Sequence, residues 1–390
     1  MIVFVCIFFL ALFVLSLYLS KNALYAPAVI VSGLWSVCLL TFILMDHKLN
    51  DPDGAFLIGI SIWVGTFCFF SLFAQSLKFN TPFRNAMPSK IARDIYFYFS
   101  LATLPFLVIS VHEIISSGFV QNPYNTLRIE NVKGTTAAFF VVFWMISYVL
   151  ELYNLSAKNR GRVLLMFVLN LFYAVISLGK TNFLTLFAVT LIILLHKKLI
   201  KAKVAFLGAA LLFLVFIFIQ ILRSNAGESL DLNSFIAMYF LSGVPAFETV
   251  TPHSNVYFGE NTFRFFYAVR YELGLSSIKP VNPVLPFINV PILTNTYTVL
   301  YPYYKDFGFA GIAVFGSFAG YVYGWMFRKL QLKDYYFTTI YAILSVGLLV
   351  QFMNETIFTL FSQNLQYVII ALIPFVISKY HLFEKKTAGA

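Results

Sequence analysis

From Ile2 to Leu19 the chain carries no charged side chain, and apolar runs of similar length recur to its far end. A helix needs roughly 20 mostly apolar residues to cross the roughly 30 Å hydrocarbon layer of a bilayer. Such runs fall near residues 2–19, 24–45, 55–77, 95–115, 135–153, 163–178, 183–195, 204–222, 307–327, 337–354 and 364–378. A soluble core does not absorb so many of them, and a composition 60% apolar and 11% charged says the same. The pattern predicts an all-α polytopic membrane protein of about eleven spans, between 10 and 12, as one integral domain over residues 1–390. The sixth and seventh runs are separated only by Gly179–Asn182, so they form a helical hairpin or one broken helix lining a cavity.

The first run lacks the basic start and small-residue cleavage site of a signal peptide and is expected to be a retained helix. Cys6, Cys38 and Cys68 all lie inside apolar runs, where a free thiol behaves as a small hydrophobe. Neither a disulfide framework nor a metal site follows from them.

Counting basic residues on alternate sides sets the orientation. Eighteen of the 27 fall on one side, in the groups around Lys21, Lys78 to Arg93, Lys158 to Arg162, Lys197 to Lys203, Arg328 to Lys333 and Lys379 to Lys386. By the positive-inside rule that side is cytoplasmic, which puts the C-terminus in the cytoplasm and the long segment 223–306 outside. The net charge of +11 is scattered over short loops and is read as a topology signal touching membrane lipid, not as a nucleic-acid surface. No fixed-period repeat is visible. A second external loop, Ser116 to Thr135, is a partner for the large one.

Segment 223–306 is the long polar interruption, and a large share of the groups able to do acid–base or phosphate chemistry falls in it. It is rich in Phe, Tyr, Leu and Val, so it is expected to fold onto the membrane or the bundle and to contain short helices. Asn261 to Leu273 reads as one of these, with Phe263, Phe266, Tyr267 and Arg270 on a stripe suited to the interface. On that helix Arg264 lies about 120° from Arg270, so local geometry does not place the two guanidiniums on one face. The prolines at 280, 283, 286 and 291 predict an irregular run from Lys279 to Thr298. The tyrosines that follow fit either the headgroup level or stacking on sugar rings.

The chain carries Gln220-Ile221-Leu222-Arg223, then Tyr239-Phe240-Leu241-Ser242-Gly243-Val244-Pro245-Ala246-Phe247 and Gly259-Glu260-Asn261-Thr262-Phe263. It closes with Asn295-Thr296-Tyr297-Thr298 and Tyr303-Tyr304-Lys305-Asp306-Phe307-Gly308-Phe309-Ala310-Gly311. This order of short motifs resembles the O-antigen polymerase (Wzy) family of oligosaccharide repeat-unit polymerases. The resemblance implies a multi-pass protein of the bacterial inner membrane with a periplasmic large loop. The implied activity is glycosyltransfer: a growing chain moves en bloc from undecaprenyl diphosphate to the non-reducing end of a new lipid-linked repeat unit. It also implies partners in one pathway, namely a chain-length regulator, a flippase and a ligase, and no cofactor.

A lipid diphosphate leaving group calls for permanent cations at the external surface, and arginine binds phosphate bidentately. Arg223, Arg264 and Arg270 are the candidates, with Lys180 at the outer turn between the sixth and seventh spans as a further charge. Each also fits an interfacial side chain snorkelling to headgroups. The acceptor hydroxyl needs a base or an orienting acceptor, for which Asp306, His253 and Glu248 are the leading candidates. Asp306 equally fits a cap on a helix starting near Phe307. Tyr297 and Tyr304 are the candidate sugar-binding rings. Glu260, Glu272 and Glu355 are further candidate bases; Glu355, at the outer end of the tenth run, would cost little there if solvated.

Asp51-Pro52-Asp53-Gly54 has the spacing of a D-x-D metal motif but reads as a turn, so no metal site is assigned. There is no P-loop, H-E-x-x-H or G-x-S-x-G. Two rival functions remain: an O-antigen ligase, and a lipid-linked oligosaccharide flippase or transporter. The second would place charged groups at mid-span, whereas the clearest charges here lie at span ends.

Overall fold

The computed structural model describes residues 1–78, 86–116, 136–177, 180–223 and 232–387, excepting the side chains at 110–111, 113–116, 136–138, 176–177, 180, 218–223, 232 and 380–387. Of the described residues 71% are helical, with almost no strand. In order, the longer helices are α1 (Ile2–Leu19), α2 (Pro27–Leu44), α3 (Gly54–Ser76), α4 (Lys90–Ala102), α5 (Leu104–Ser116), α6 (Thr136–Tyr153), α7 (Arg160–Ser177), α8 (Lys180–His196), α9 (Ala202–Arg223), α10 (Arg264–Glu272), α11 (Tyr301–Gln331), α12 (Tyr335–Leu344) and α13 (Phe361–Thr387).

Six stretches among the described residues are long and apolar enough to cross a membrane: Ile2–Leu19, Pro27–Leu44, Gly54–Ser76, Lys90–Ile109, Tyr301–Gln331 and Phe361–Lys379. Shorter apolar helices cover Phe139–Tyr153, Thr181–His196, Ala202–Ile217 and Tyr335–Leu349. Such lengths make this a membrane-embedded helical protein. The runs expected near 163–178 and 183–195 are two helices, α7 and α8, that pack on each other.

Contacts divide the chain into two compact units, one of residues 1–80, 229–329 and 347–364, the other of 81–228, 330–346 and 365–390. In the first, α1 packs on α2 and α3. Helix starts follow local chemistry: Pro27 opens α2, and Asp53 caps α3 by accepting the Phe56 N–H at 2.6 Å. The aspartate of the D-x-D spacing is therefore a helix cap.

Helices α3 and α11 meet through Gly316, Gly320 and Gly324, which recur every fourth residue and so share one face of α11. A Cβ at Gly320 would lie 2.3 Å from the Phe67 carbonyl oxygen, and one at Gly324 would lie 2.3 Å from that of Ser71. Small residues let backbones of membrane helices approach this closely. Beside the seam, Trp63 stacks on Tyr303 at 5.4 Å and Tyr303 on Phe315 at 4.8 Å. The indoles of Trp35 and Trp63 both donate to Gln351 Oε1, at 3.2 and 3.1 Å.

In the second unit α4 and α5 break at Thr103, whose hydroxyl donates to the Ser100 carbonyl and accepts from Trp144 Nε1. At the other end of α4, Arg162 reaches Asp94 and the buried Glu151, and its guanidinium lies 4.0 Å over the Phe97 ring.

Two expectations are corrected. The apolar run placed at 307–327 is part of a longer helix, α11, which starts at Tyr301 and is interrupted at Gly308 (φ 62°, ψ −150°), a conformation open essentially to glycine alone. Asp306 thus sits inside the short helical stretch before the break and does not cap a helix starting at Phe307. Glu355, a candidate base at the outer end of the tenth run, is 1% exposed, with its oxygens taken up by the turn that follows it.

Candidate functional site

The described part of the long segment, residues 232–300, is folded, and its longest helix is α10 with 9 residues. Short helical turns run from Leu232 to Thr249, including a π-helical turn at Ala237–Leu241. Leu273 and Gly274 end α10, Gly274 at φ 68°. The proline-rich run that follows is irregular, as expected, apart from a minimal antiparallel pair, Ile288–Asn289 with Leu293–Thr294.

Buried polar contacts hold this segment in place within the first unit, of which it is part. Asp306, 4% exposed, accepts the Asn261 N–H at 3.2 Å, the Asn261 side-chain amide at 2.7 Å and the Thr262 N–H at 2.7 Å. Glu355 accepts the N–H groups of Ile357, Phe358 and Thr359, the Thr359 hydroxyl and the Tyr303 phenol. A tight turn leaves several N–H groups without partners, and a carboxylate with two oxygens satisfies them all at once. This is why Glu355 is buried. The hydroxyls of Ser242, Thr294 and Thr296 form a triangle with sides of 2.5 to 2.9 Å.

These two carboxylates hold the walls of a cleft. Asn261 and Thr262 lead directly into α10, while the Glu355 turn presents Thr359. Between them lies a cleft of about 370 Å³ lined by Arg264, Phe265, Ala268, Val269, Glu272, Leu273, Thr359 and Ser362. Arg264 also lines a smaller hollow with Asn261, Asn282, Asn354 and Tyr301. Its Nε donates to the Val281 carbonyl at 2.7 Å, and no acceptor among the described residues takes its two terminal amino groups. Burial pulls its pKa below the ordinary guanidinium value, a sign that the positive charge is incompletely solvated.

Arg270 does not line this cleft. It is exposed near Tyr267, whose phenol is pushed up by burial and by Glu260, against the opposing charge of Arg270. The 120° separation read from the sequence survives in the fold. Glu260 accepts the N–H groups of Val256 and Tyr257. His253 is exposed, at φ 56°, and its Nε2 lies 3.1 Å from the point a Cβ on Gly308 would occupy. Glu248 accepts the Asp53 N–H at 3.1 Å; its carboxyl is raised above the ordinary value, chiefly by burial and further by the Asp53 charge, with the hydrogen bond opposing.

Neither tyrosine offers an open ring face. Tyr297 is 3% exposed and lies against Tyr301, and Tyr304, 7% exposed, lies between Phe247 and Phe309. Apolar packing of the segment has taken both rings, which corrects their reading as sugar platforms. The side chains of Arg223, closing α9, and Lys180, opening α8, lie outside the described residues, as does the second loop over 117–135. Reading the sequence missed Thr359, Ser362 and the glycine seam. The spacing Gly316-x-x-x-Gly320-x-x-x-Gly324 was a usable signal for the last of these. No family model, no curated protein and no solved structure matches the chain.

Proposed function

We propose that this protein is a bacterial inner-membrane glycosyltransferase that polymerises undecaprenyl-diphosphate-linked oligosaccharide repeat units by en bloc transfer. It would have about eleven spans, the segment 223–306 on the periplasmic side and the C-terminus in the cytoplasm. The observation that carries the reading is Arg264: a half-buried guanidinium whose two terminal amino groups have no acceptor among the described residues, in a cleft whose walls are part apolar and part hydroxyl, with the Glu272 carboxylate also in the lining. A lipid diphosphate has the matching halves, an anion for the guanidinium and a hydrocarbon chain for Phe265, Ala268 and Val269.

In the proposed reaction the acceptor sugar hydroxyl attacks the anomeric carbon of the donor chain. The new glycosidic C–O bond forms as the bond to the diphosphate breaks, and the diphosphate leaves with the electron pair. Arg264 offsets the charge developing on it, and the hydroxyl proton passes to a base. Asp306 is the least available of the three candidate bases, since its oxygens already accept three hydrogen bonds. Glu248, which is exposed and accepts one hydrogen bond, from the Asp53 N–H, keeps acceptor capacity for that proton.

The test is the polysaccharide ladder of a deletion strain complemented with the wild-type chain or Arg264→Ala. Single repeat units on the final acceptor, with longer chains lost, support a polymerase. A complete absence of product in the deletion strain indicates a ligase or flippase and overturns the reading.

A further inference from the structure

Most of one surface lies outside the cleft and its carboxylate supports. Phe258 is 76% exposed and Phe266 is 52% exposed, on a segment fixed to α11 by the Asp306 contacts. They are not isolated. Ring contacts run from Phe258 to Phe263 at 6.4 Å, from Phe263 to Phe358 at 6.4 Å, and from Phe358 to Phe318 at 6.1 Å. Phe266 joins the same chain through Phe263 and Phe361. Phe318 stands on α11, a helix long and apolar enough to span, and shares its exposed flank with Val314 and Tyr321, at i, i+4 and i+7.

The outward flank of a spanning helix faces lipid. The aromatic surface on the non-spanning segment is therefore a direct continuation of a lipid-facing one. Leu273, which closes α10 and also lines the cleft, follows Phe266 by seven residues, about 20° away around the helix, and it is also strongly exposed. Arg270, four residues after Phe266 on a neighbouring row, is exposed beside this stripe. An apolar stripe flanked by a long cationic side chain is the surface pattern of a helix lying in a membrane interface.

We infer that the rim formed by Phe258, Phe266 and Leu273 inserts into the lipid leaflet that surrounds the Tyr301 end of α11, with Arg270 reaching the lipid phosphates. The occupant of this surface is the bilayer itself, not a protein partner. The inference goes beyond the proposed glycosyltransferase reading and does not rest on it.

The test uses the full chain in phosphatidylcholine–phosphatidylglycerol nanodiscs, with Cys6, Cys38 and Cys68 replaced by alanine. A nitroxide is placed on single cysteines at Phe258, Phe266 or Leu273, with Phe318 as the lipid reference and Ser277 as the exposed loop reference. Collision with oxygen and with a water-soluble nickel chelate is measured by power saturation. The expected result is an oxygen-over-nickel preference at all three rim positions close to that at Phe318. Nickel access like that at Ser277 would overturn the inference. Exclusion of both reagents would also overturn it, by showing a protein surface over the rim. The labels stand at exposed side chains, whereas the three replaced cysteines are buried, so the size-exclusion profile and melting temperature of the cysteine-free parent and of each labelled chain are compared with those of wild type.

Discussion

Asp306 and Asn261 are 45 residues apart in sequence and joined by two hydrogen bonds, one from the Asn261 backbone and one from its side chain. With the Thr262 N–H added, a single buried carboxylate fixes the start of α10 to the first helical stretch of α11. Hydrogen bonds to a charged acceptor are worth about 1.5–3 kcal/mol each, and removing the acceptor also strands buried donors. Asp306→Ala should therefore destabilise the segment by several kcal/mol and expose the region after Thr249 to limited proteolysis. Asp306→Asn keeps an acceptor oxygen and should be cut more slowly. Equal resistance of Asp306→Ala and wild type would show that the anchor is dispensable.

Gly320 meets α3 with no room for a side chain. Gly320→Val should cost about 1–3 kcal/mol or more from overpacking and backbone separation, seen as a lower melting temperature in detergent and reduced monodisperse yield. Gly161→Ala, where a Cβ would meet nothing within 4 Å, should leave both unchanged.

Glu248 gives stability a pH dependence of definite sign. Its carboxyl is raised in the folded state, so within the window between the ordinary carboxylate value and the raised one the folded chain holds more protons than the unfolded chain. Stability contributed by this group is then highest at acid pH and falls as pH rises through that window. Glu248→Gln keeps an acceptor for the Asp53 N–H and removes the charge. Its melting temperature should exceed that of wild type at neutral pH, and the gap should close as pH falls below the ordinary carboxylate range. A gap that widens toward acid would contradict the sign.

Arg264 is separated from the rest of the machinery by its chemistry. Losing one preorganised charge-stabilising group lowers turnover by roughly 10²–10³-fold, so Arg264→Ala should shift product from long chains to single units at normal protein levels. Arg264→Lys keeps the charge but loses the planar fork and the Nε bond to Val281, and should leave chains of intermediate length. The measurement is a gel ladder of extracted polysaccharide, normalised to folded protein.

Much of this was legible in the chain itself. Apolar runs longer than any soluble core needs dictate helices in a bilayer, because the backbone there must satisfy its own hydrogen bonds. Aromatic content marked 223–306 as folded, the prolines after Lys279 marked where helix stops, and 100° per residue separated Arg264 from Arg270. What the sequence did not carry was which polar groups are buried. Asp306 and Glu355 read as available acids because local sequence says nothing of donors 45 residues away or of the turn geometry at Ile357 to Thr359. Tyr297 and Tyr304 read as open rings until packing closed over them. Periodicity fixes elements over a few residues, whereas burial, and with it whether a carboxylate is a base or an anchor, depends on contacts between distant parts of the chain. Those contacts, and the cleft they leave beside Arg264, were decided only by the tertiary structure.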